Sequence, residues 1–250
     1  HHGLLAVSVF GVVLGAIFMG AGWWQADESD GVRLLPRSVR QARQGAWMSA
    51  ISGAFGAWVS AASTLPPIAI VGCAGAGAIV VGGRAAARAG AQFDAGIWRL
   101  WGRVGAVAST GFYLVEYFPS HMALRLESNH PFYALAWLGG GYLLGELGEI
   151  WLAPAGTLQK RWKRLVWPAI AIAVAPATIA VGGAKVFVVM DPFLANLHRS
   201  IQEFLPLWIS VRAAGWQTIW AVIGLENVPL LVALLSLGFF LRHRPLLLWF

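Results

Sequence analysis

Long apolar segments recur along this chain, separated by short polar segments that carry most of its charge. Residues 3–24, 47–64, 67–83, 132–152, 165–188 and 218–241 each approach the roughly 20 apolar residues that a helix needs to cross a bilayer, and 104–118 is a shorter example. A helix that is apolar on every side must be covered by protein or by lipid. Hydrophobic residues make up 58% of the chain, against about 45–50% in soluble domains. Charged residues are 12%, about half the usual share. The expected fold is therefore all-α: a polytopic transmembrane protein with about seven full spans and a truncated eighth. The chain opens on His1-His2-Gly3 and stops inside an apolar run ending Leu248-Trp249-Phe250. It reads as an internal fragment, a partial transmembrane domain over residues 1–250.

Charge fixes an orientation. Of the 18 Lys and Arg residues, four each lie in 25–46, 84–103 and 153–164 and two in 242–244. Arg125, Lys185, Arg199 and Arg212 are the others. The positive-inside rule makes the first set cytoplasmic. Residues 1–2 and the loops 119–131 and 189–217 then share the extracytoplasmic face. This pattern accounts for the net charge of +7 without a nucleic-acid partner. Trp23, Trp24, Trp47, Trp151, Trp167 and Trp208 fall at span ends, as an interfacial belt would place them. Arg33, Arg37, Arg40 and Arg43, three or four apart, predict one face of a helix lying along the membrane surface. Ser63-Thr64-Leu65-Pro66-Pro67 predicts a turn between two spans, and Pro168 and Pro176 predict kinks. The lone Cys73 has no partner for an internal disulfide.

Residues 191–208, DPFLANLHRSIQEFLPLW, are too polar to span. On a helix, Asn196, Ser200 and Glu203 form a polar stripe flanked by Arg199, opposite Phe193, Leu197, Ile201, Phe204 and Trp208. Such a stripe fits an amphipathic helix on the bilayer surface. It also fits a capping box at 200–203, which Pro206 disfavours by falling inside the helix so capped. Glu127, Asp191 and Glu203 are the external carboxylates, and a hard divalent cation prefers oxygen ligands. His1-His2 alone is short of a metal site, which needs at least two further ligands.

Ser200-Ile201-Gln202-Glu203, in an external loop before a span, resembles the SVSE/TIxE motif of the catalytic subunit of oligosaccharyltransferases. His1-His2-Gly3, at the outer end of a span, resembles the end of that family's second metal motif, Asp-His-His. The resemblance implies a GT-C membrane glycosyltransferase. It would transfer a glycan from a polyprenyl-linked donor to the Asn of an acceptor polypeptide. It implies that His2 and Glu203 contact a divalent cation, Mn2+ or Mg2+, and that Glu203 is catalytic. Ser200 and Glu203 would then meet the acceptor. A cation neutralises charge developing on a phosphate leaving group, and a carboxylate orients an amide nitrogen. The first acidic metal motif and the soluble C-terminal domain of that family have no counterpart in these residues, so the fragment is expected to be inactive alone. Ile201 and Gln202 depart from SVSE and leave the acceptor type open. The alternatives are another polyprenyl-phosphate-sugar transferase, or a membrane transporter or structural protein.

Other polar residues complete the reading. Arg125 and Arg199 are candidates for donor phosphate, through the guanidinium fork; for the loop of His121, Arg125, Glu127 and His130 the competing reading is a solvated loop with local pairs. Glu226 and Asn227 lie inside a span and either line a lipid groove or pair locally. Glu116, Glu146 and Glu149 are expected to snorkel at span ends.

Overall fold

The computed structural model describes residues 2–25, 35–119, 126, 128–153 and 162–182. The chain divides into two compact units, one of His1–Phe187 with Trp249–Phe250, the other of Val188–Leu248. All described residues belong to the first.

That unit is built almost entirely of helices. In chain order they are α1 (His2–Met19), α2 (Val39–Val59), α3 (Ala61–Gly77), a π-helical turn (Ala78–Gly82), α4 (Gly83–Arg88), α5 (Ala95–Tyr117), α6 (Pro131–Trp151) and α7 (Lys163–Gly182). A two-residue antiparallel ribbon is added to the expected all-α fold. It pairs β1 (Trp23–Trp24) with β2 (Gln92–Phe93), in the register Trp23 to Phe93. Local chemistry sets the helix starts. Ser38 caps α2 by accepting from the Gln41 N–H at 3.2 Å, and Gln41 Oε1 accepts from the Arg37 N–H, so two orphan donors are satisfied. Asp94 caps α5 through the Gly96 N–H at 2.7 Å. His130 caps α6 ahead of Pro131, whose fixed φ suits the first helical position.

Of four packed helix pairs, all but one are antiparallel. Gly11 and Gly15 of α1 lie on Ser52 and Ser49 of α2, which makes that pair antiparallel. The α2–α5 pair is parallel, with Arg43 beside Asp94 near one end and Trp58 stacked on Phe112 toward the other. The α5–α6 and α6–α7 pairs are antiparallel, from Arg99 beside Glu146 and Tyr142 against Trp167. Packing between α5 and α6 is backbone on backbone at one point: a Cβ on Gly141 would sit 2.5 Å from the Trp98 carbonyl oxygen. Small residues permit that approach in membrane bundles. Trp98, Trp101 and Trp137 fill the interior beside it, all under 5% exposed. Trp101 Nε1 donates to Ser49 Oγ at 3.0 Å.

Three of these helical runs are long and apolar enough to cross a membrane: Gly3–Gly22, Ala61–Arg88 and Lys163–Gly182. Their outward faces are apolar and uncovered. Val7, Phe10, Ile70 and Ile170 are each more than 60% exposed. Such faces require lipid or a partner. The remaining long helices, α2, α5 and α6, fall short of the same measure.

Several boundaries differ from those expected. The break between α2 and α3 is at Ser60, in extended geometry (φ −160°), so Ser63–Pro67 is not a turn. Pro66 and Pro67 lie inside α3. A helix facing lipid tolerates proline where neighbours satisfy the freed carbonyls. Arg40 and Arg43 belong to the first turns of α2, and Arg99 and Arg103 to those of α5. Arg43 stands beside Asp94, Arg99 donates to Glu146 and Glu149, and Arg103 Nε donates to the Arg99 carbonyl, so neither a separate surface helix nor a loop is needed for them; Arg33 lies outside the described residues.

Candidate functional site

Most of the residues expected to form a site lie outside the described residues: Arg125, Arg199, Ser200 and Glu203, with His1, Glu226 and Asn227. His2 begins α1, and its side chain is not described. None of them is brought together with another by the described structure.

The described bundle has two chemically distinct ends. One end collects the arginines. Asp94 N–H donates to the Gly22 carbonyl at 2.9 Å, and Gln25 Nε2 to the Ala89 carbonyl at 3.1 Å. Arg43 lies 3.5 Å from Asp94, and Arg84 sits over the Trp151 ring. Arg99 donates to Glu146 Oε1 and Glu149 Oε1, both at 2.8 Å, and Arg164 stands 3.8 Å from Glu146. This cluster ties α5, α6 and α7 together. It corrects the expectation that Glu146 and Glu149 snorkel: the Glu146 side chain is only 12% exposed. Among the described residues, Arg43, Arg84, Arg99 and Arg164 thus lie at one end.

The opposite end is neutral and buried. Ser109 Oγ donates to Asn129 Oδ1 at 2.7 Å, and Asn129 Nδ2 donates to the Ser109 carbonyl at 2.8 Å. Asn129 and Ser109 are each 1% exposed. Tyr133 donates its hydroxyl to the Leu126 carbonyl. Ala61, Leu126, Tyr133 and Ala175 pack together there, with Leu65, Phe132 and Ile179 around them. His130 is 8% exposed, which corrects its expected place in a solvated loop. Its Nδ1 accepts from the Phe132 N–H at 3.2 Å, and its ring lies edge-on to Tyr113 and Phe132. Burial pushes the imidazole below its ordinary value, because an apolar setting disfavours the charged form. Glu116, near this end of α5, is exposed, as a snorkelling residue would be.

Sequence reasoning missed the Ser109–Asn129 lock. Asn-His-Pro at 129–131 was a readable helix-start signal; nothing local in the sequence marks Ser109. It also missed the buried tryptophans, although Trp98 and Trp101 are one helical turn apart.

A divalent cation needs several converging nitrogen, oxygen or sulfur ligands. Among the described residues no three His, Cys, Asp or Glu side chains converge, so the described residues do not by themselves fit the implied cation. No family model matches the chain, and no curated protein or solved structure matches it either. The described features define a mostly helical protein with three helical runs long and apolar enough to cross a membrane.

Proposed function

We propose that this chain is part of a GT-C membrane glycosyltransferase similar to the catalytic subunit of oligosaccharyltransferases. It would move a glycan from a polyprenyl-linked donor to an Asn of an acceptor polypeptide. One observation carries the reading: the separation of charge between the two ends of the described bundle. Arg43, Arg84, Arg99 and Arg164 lie at one end. The start of α1, at His2, the segment leading into α6, and the end of α7 lie toward the other. That arrangement accords with the orientation that the Lys and Arg count assigns to His2. Arg125, Arg199, Ser200 and Glu203 lie outside the described residues, and their place on the same face rests on that charge count alone. Glu203 would orient the acceptor amide, and Ser200 would contact the acceptor. The implied Mn2+ or Mg2+ would draw on ligands beyond the described residues.

The second reading is a transporter or structural membrane protein. Polar side chains at both described ends are largely engaged with one another, which suits a structural role. Against transport, the π-helical interruption of the α3–α4 run is Ala78-Ile79-Val80-Val81-Gly82, with no polar side chain of the kind a substrate-binding break uses.

The test is transfer by the intact protein in membranes, with a polyprenyl-linked donor and an Asn-x-Ser/Thr peptide. Glu203→Gln is expected to abolish transfer while the protein still accumulates in the membrane. Transfer at the wild-type rate in that variant removes Glu203 from the mechanism. Absence of transfer by the wild-type protein favours the second reading.

A further inference from the structure

A cavity of about 240 Å³ opens between α1 and α3, lined by apolar residues. It runs from Val9 to Met19 along α1, about 15 Å at the rise of an α-helix. Val13 and Ile70, 38% and 66% exposed, frame its mouth. Ile17 and Ala74 form its walls, and Trp98 its floor. Both walls belong to helical runs apolar enough to span a membrane, so the mouth opens toward hydrocarbon.

The cavity is held open from below. Trp98 reaches across from α5, and its ring occupies the space that a Cβ on Gly75 would need. Its Nε1 donates to the Ala21 carbonyl at 2.9 Å. Ala21 lies in a left-handed turn between Gly20 and Gly22, with φ of 62°, 49° and 87° for the three in order. An L-residue in that region is strained, and such strain persists only where its surroundings impose it. The wedge therefore keeps α1 and α3 apart along a hydrocarbon-facing slot.

The lower end of the slot, at Met19 and Ala21, lies at the arginine-rich end. Arg37 follows Pro36, whose ring packs on Gly20. Arg88 precedes Ala89, whose carbonyl accepts from Gln25. Both arginines are exposed, and among the described residues neither forms an ion pair. Neither lines the slot. Both sit beside residues bonded to Gln25, which donates to the Pro36 and Ala89 carbonyls and follows the slot's lower end at Ala21 by four positions. Basic residues there suit an anionic headgroup.

We propose that this slot holds one acyl chain of an anionic phospholipid from the leaflet at the arginine-rich end, its headgroup held by Arg37 and Arg88. The lipid is a structural ligand of the bundle and takes no part in glycan transfer.

The experiment uses the full chain in phosphatidylcholine vesicles carrying a minor fraction of phosphatidylglycerol with a photoactivatable acyl chain. A parallel set carries the same chain on phosphatidylcholine, and labelled residues are located by mass spectrometry. The phosphatidylglycerol probe is expected to label Val13, Ile17, Ile70 and Ala74 in preference to Val107 and Val115, which are exposed on α5. The phosphatidylcholine probe should not show that preference. Arg37→Gln and Arg88→Gln should each lower the enrichment about fivefold, and Ala74→Phe should remove it by filling the slot. Equal labelling of slot and α5 by the phosphatidylglycerol probe overturns the proposal, as does enrichment that survives the double arginine substitution. If Ala74→Phe does not fold, the two arginine variants, on exposed side chains, still decide the matter.

Discussion

The two ends of the described bundle hold their helices by opposite means. At the arginine-rich end, Arg99 bridges Glu146 and Glu149 while remaining 27% exposed. At the other end, Ser109, Asn129, His130 and Tyr133 are neutral and buried. A partly wet ion cluster gains from Coulomb attraction, loses to desolvation and is screened by salt. A buried neutral pair gains less but is costly to leave half made. Within one bundle, a partly wet ion cluster holds one end and a buried neutral hydrogen-bonded cluster the other, while Glu116 near the second end stays exposed.

The largest expected effect is at the charged end. Arg99→Ala leaves Glu146 and Glu149 without their bridge, and Glu146 is mostly buried. Thermal unfolding in detergent should show a loss of about 2–3 kcal/mol, toward the lower side of buried-pair values because Arg99 is partly exposed. Adding Glu146→Gln should recover part of that loss; no recovery would show that Arg99 acts by packing alone.

At the neutral end, Asn129→Ala leaves the Ser109 hydroxyl and carbonyl without their partner. The expected cost is about 1–3 kcal/mol, insensitive to added salt. A salt-dependent loss would break the contrast between the ends. Strain enters at the charged end as well. Ala21→Gly should stabilise the protein by about 1 kcal/mol, since glycine accepts the left-handed φ without a Cβ penalty. Unfolding measurements on that variant check it, and a destabilised protein would contradict the strain.

The smallest effect concerns pH. The His130 imidazole is held below its ordinary value in the folded protein, so the unfolded chain binds the proton more readily. Its contribution to stability is therefore present above the unfolded value of about 6.5 and declines as pH falls below it. His130→Asn keeps a capping acceptor without a titrating group. Unfolding of the two proteins between neutral and mildly acidic pH should differ in slope in that direction, and equal slopes would mean that His130 does not contribute.

Helical character was readable in the sequence, because apolar segments of this length leave few other options. The described arginines Arg43, Arg84, Arg99 and Arg164 do lie toward one end, while much of the basic segments 25–46 and 153–164 falls outside the described residues. The break at Ser60 was not readable. Proline normally marks a turn, and only the surroundings of α3 let Pro66 and Pro67 stay helical. Arg40 and Arg43 were expected on a surface helix and Arg99 and Arg103 between spans, because their charge interrupts the apolar pattern; instead they lie on α2 and α5, where Arg99 is paired with Glu146 and Glu149. Glu146 gave no sign of its partner, which lies 47 positions earlier. As for the candidate site, its motifs at Ser200 and Glu203 were legible, but they fall outside the described residues, and at His2 only the start of a helix is fixed.

The ribbon between Trp23–Trp24 and Gln92–Phe93 has a consequence for how the protein is made. Its strands are separated in the chain by α2, α3 and α4, so it cannot close until β2 has been synthesised. Until then α1 has no contact with β2 or the α5 entrance, and the Trp98 bond to Ala21 is also absent. At that stage α1 is held only by the earlier helices it packs on, such as α2 through Gly11 and Gly15. Arrival of Gln92–Phe93 and Trp98 latches the first helix to the fifth and commits the earlier spans to their final arrangement.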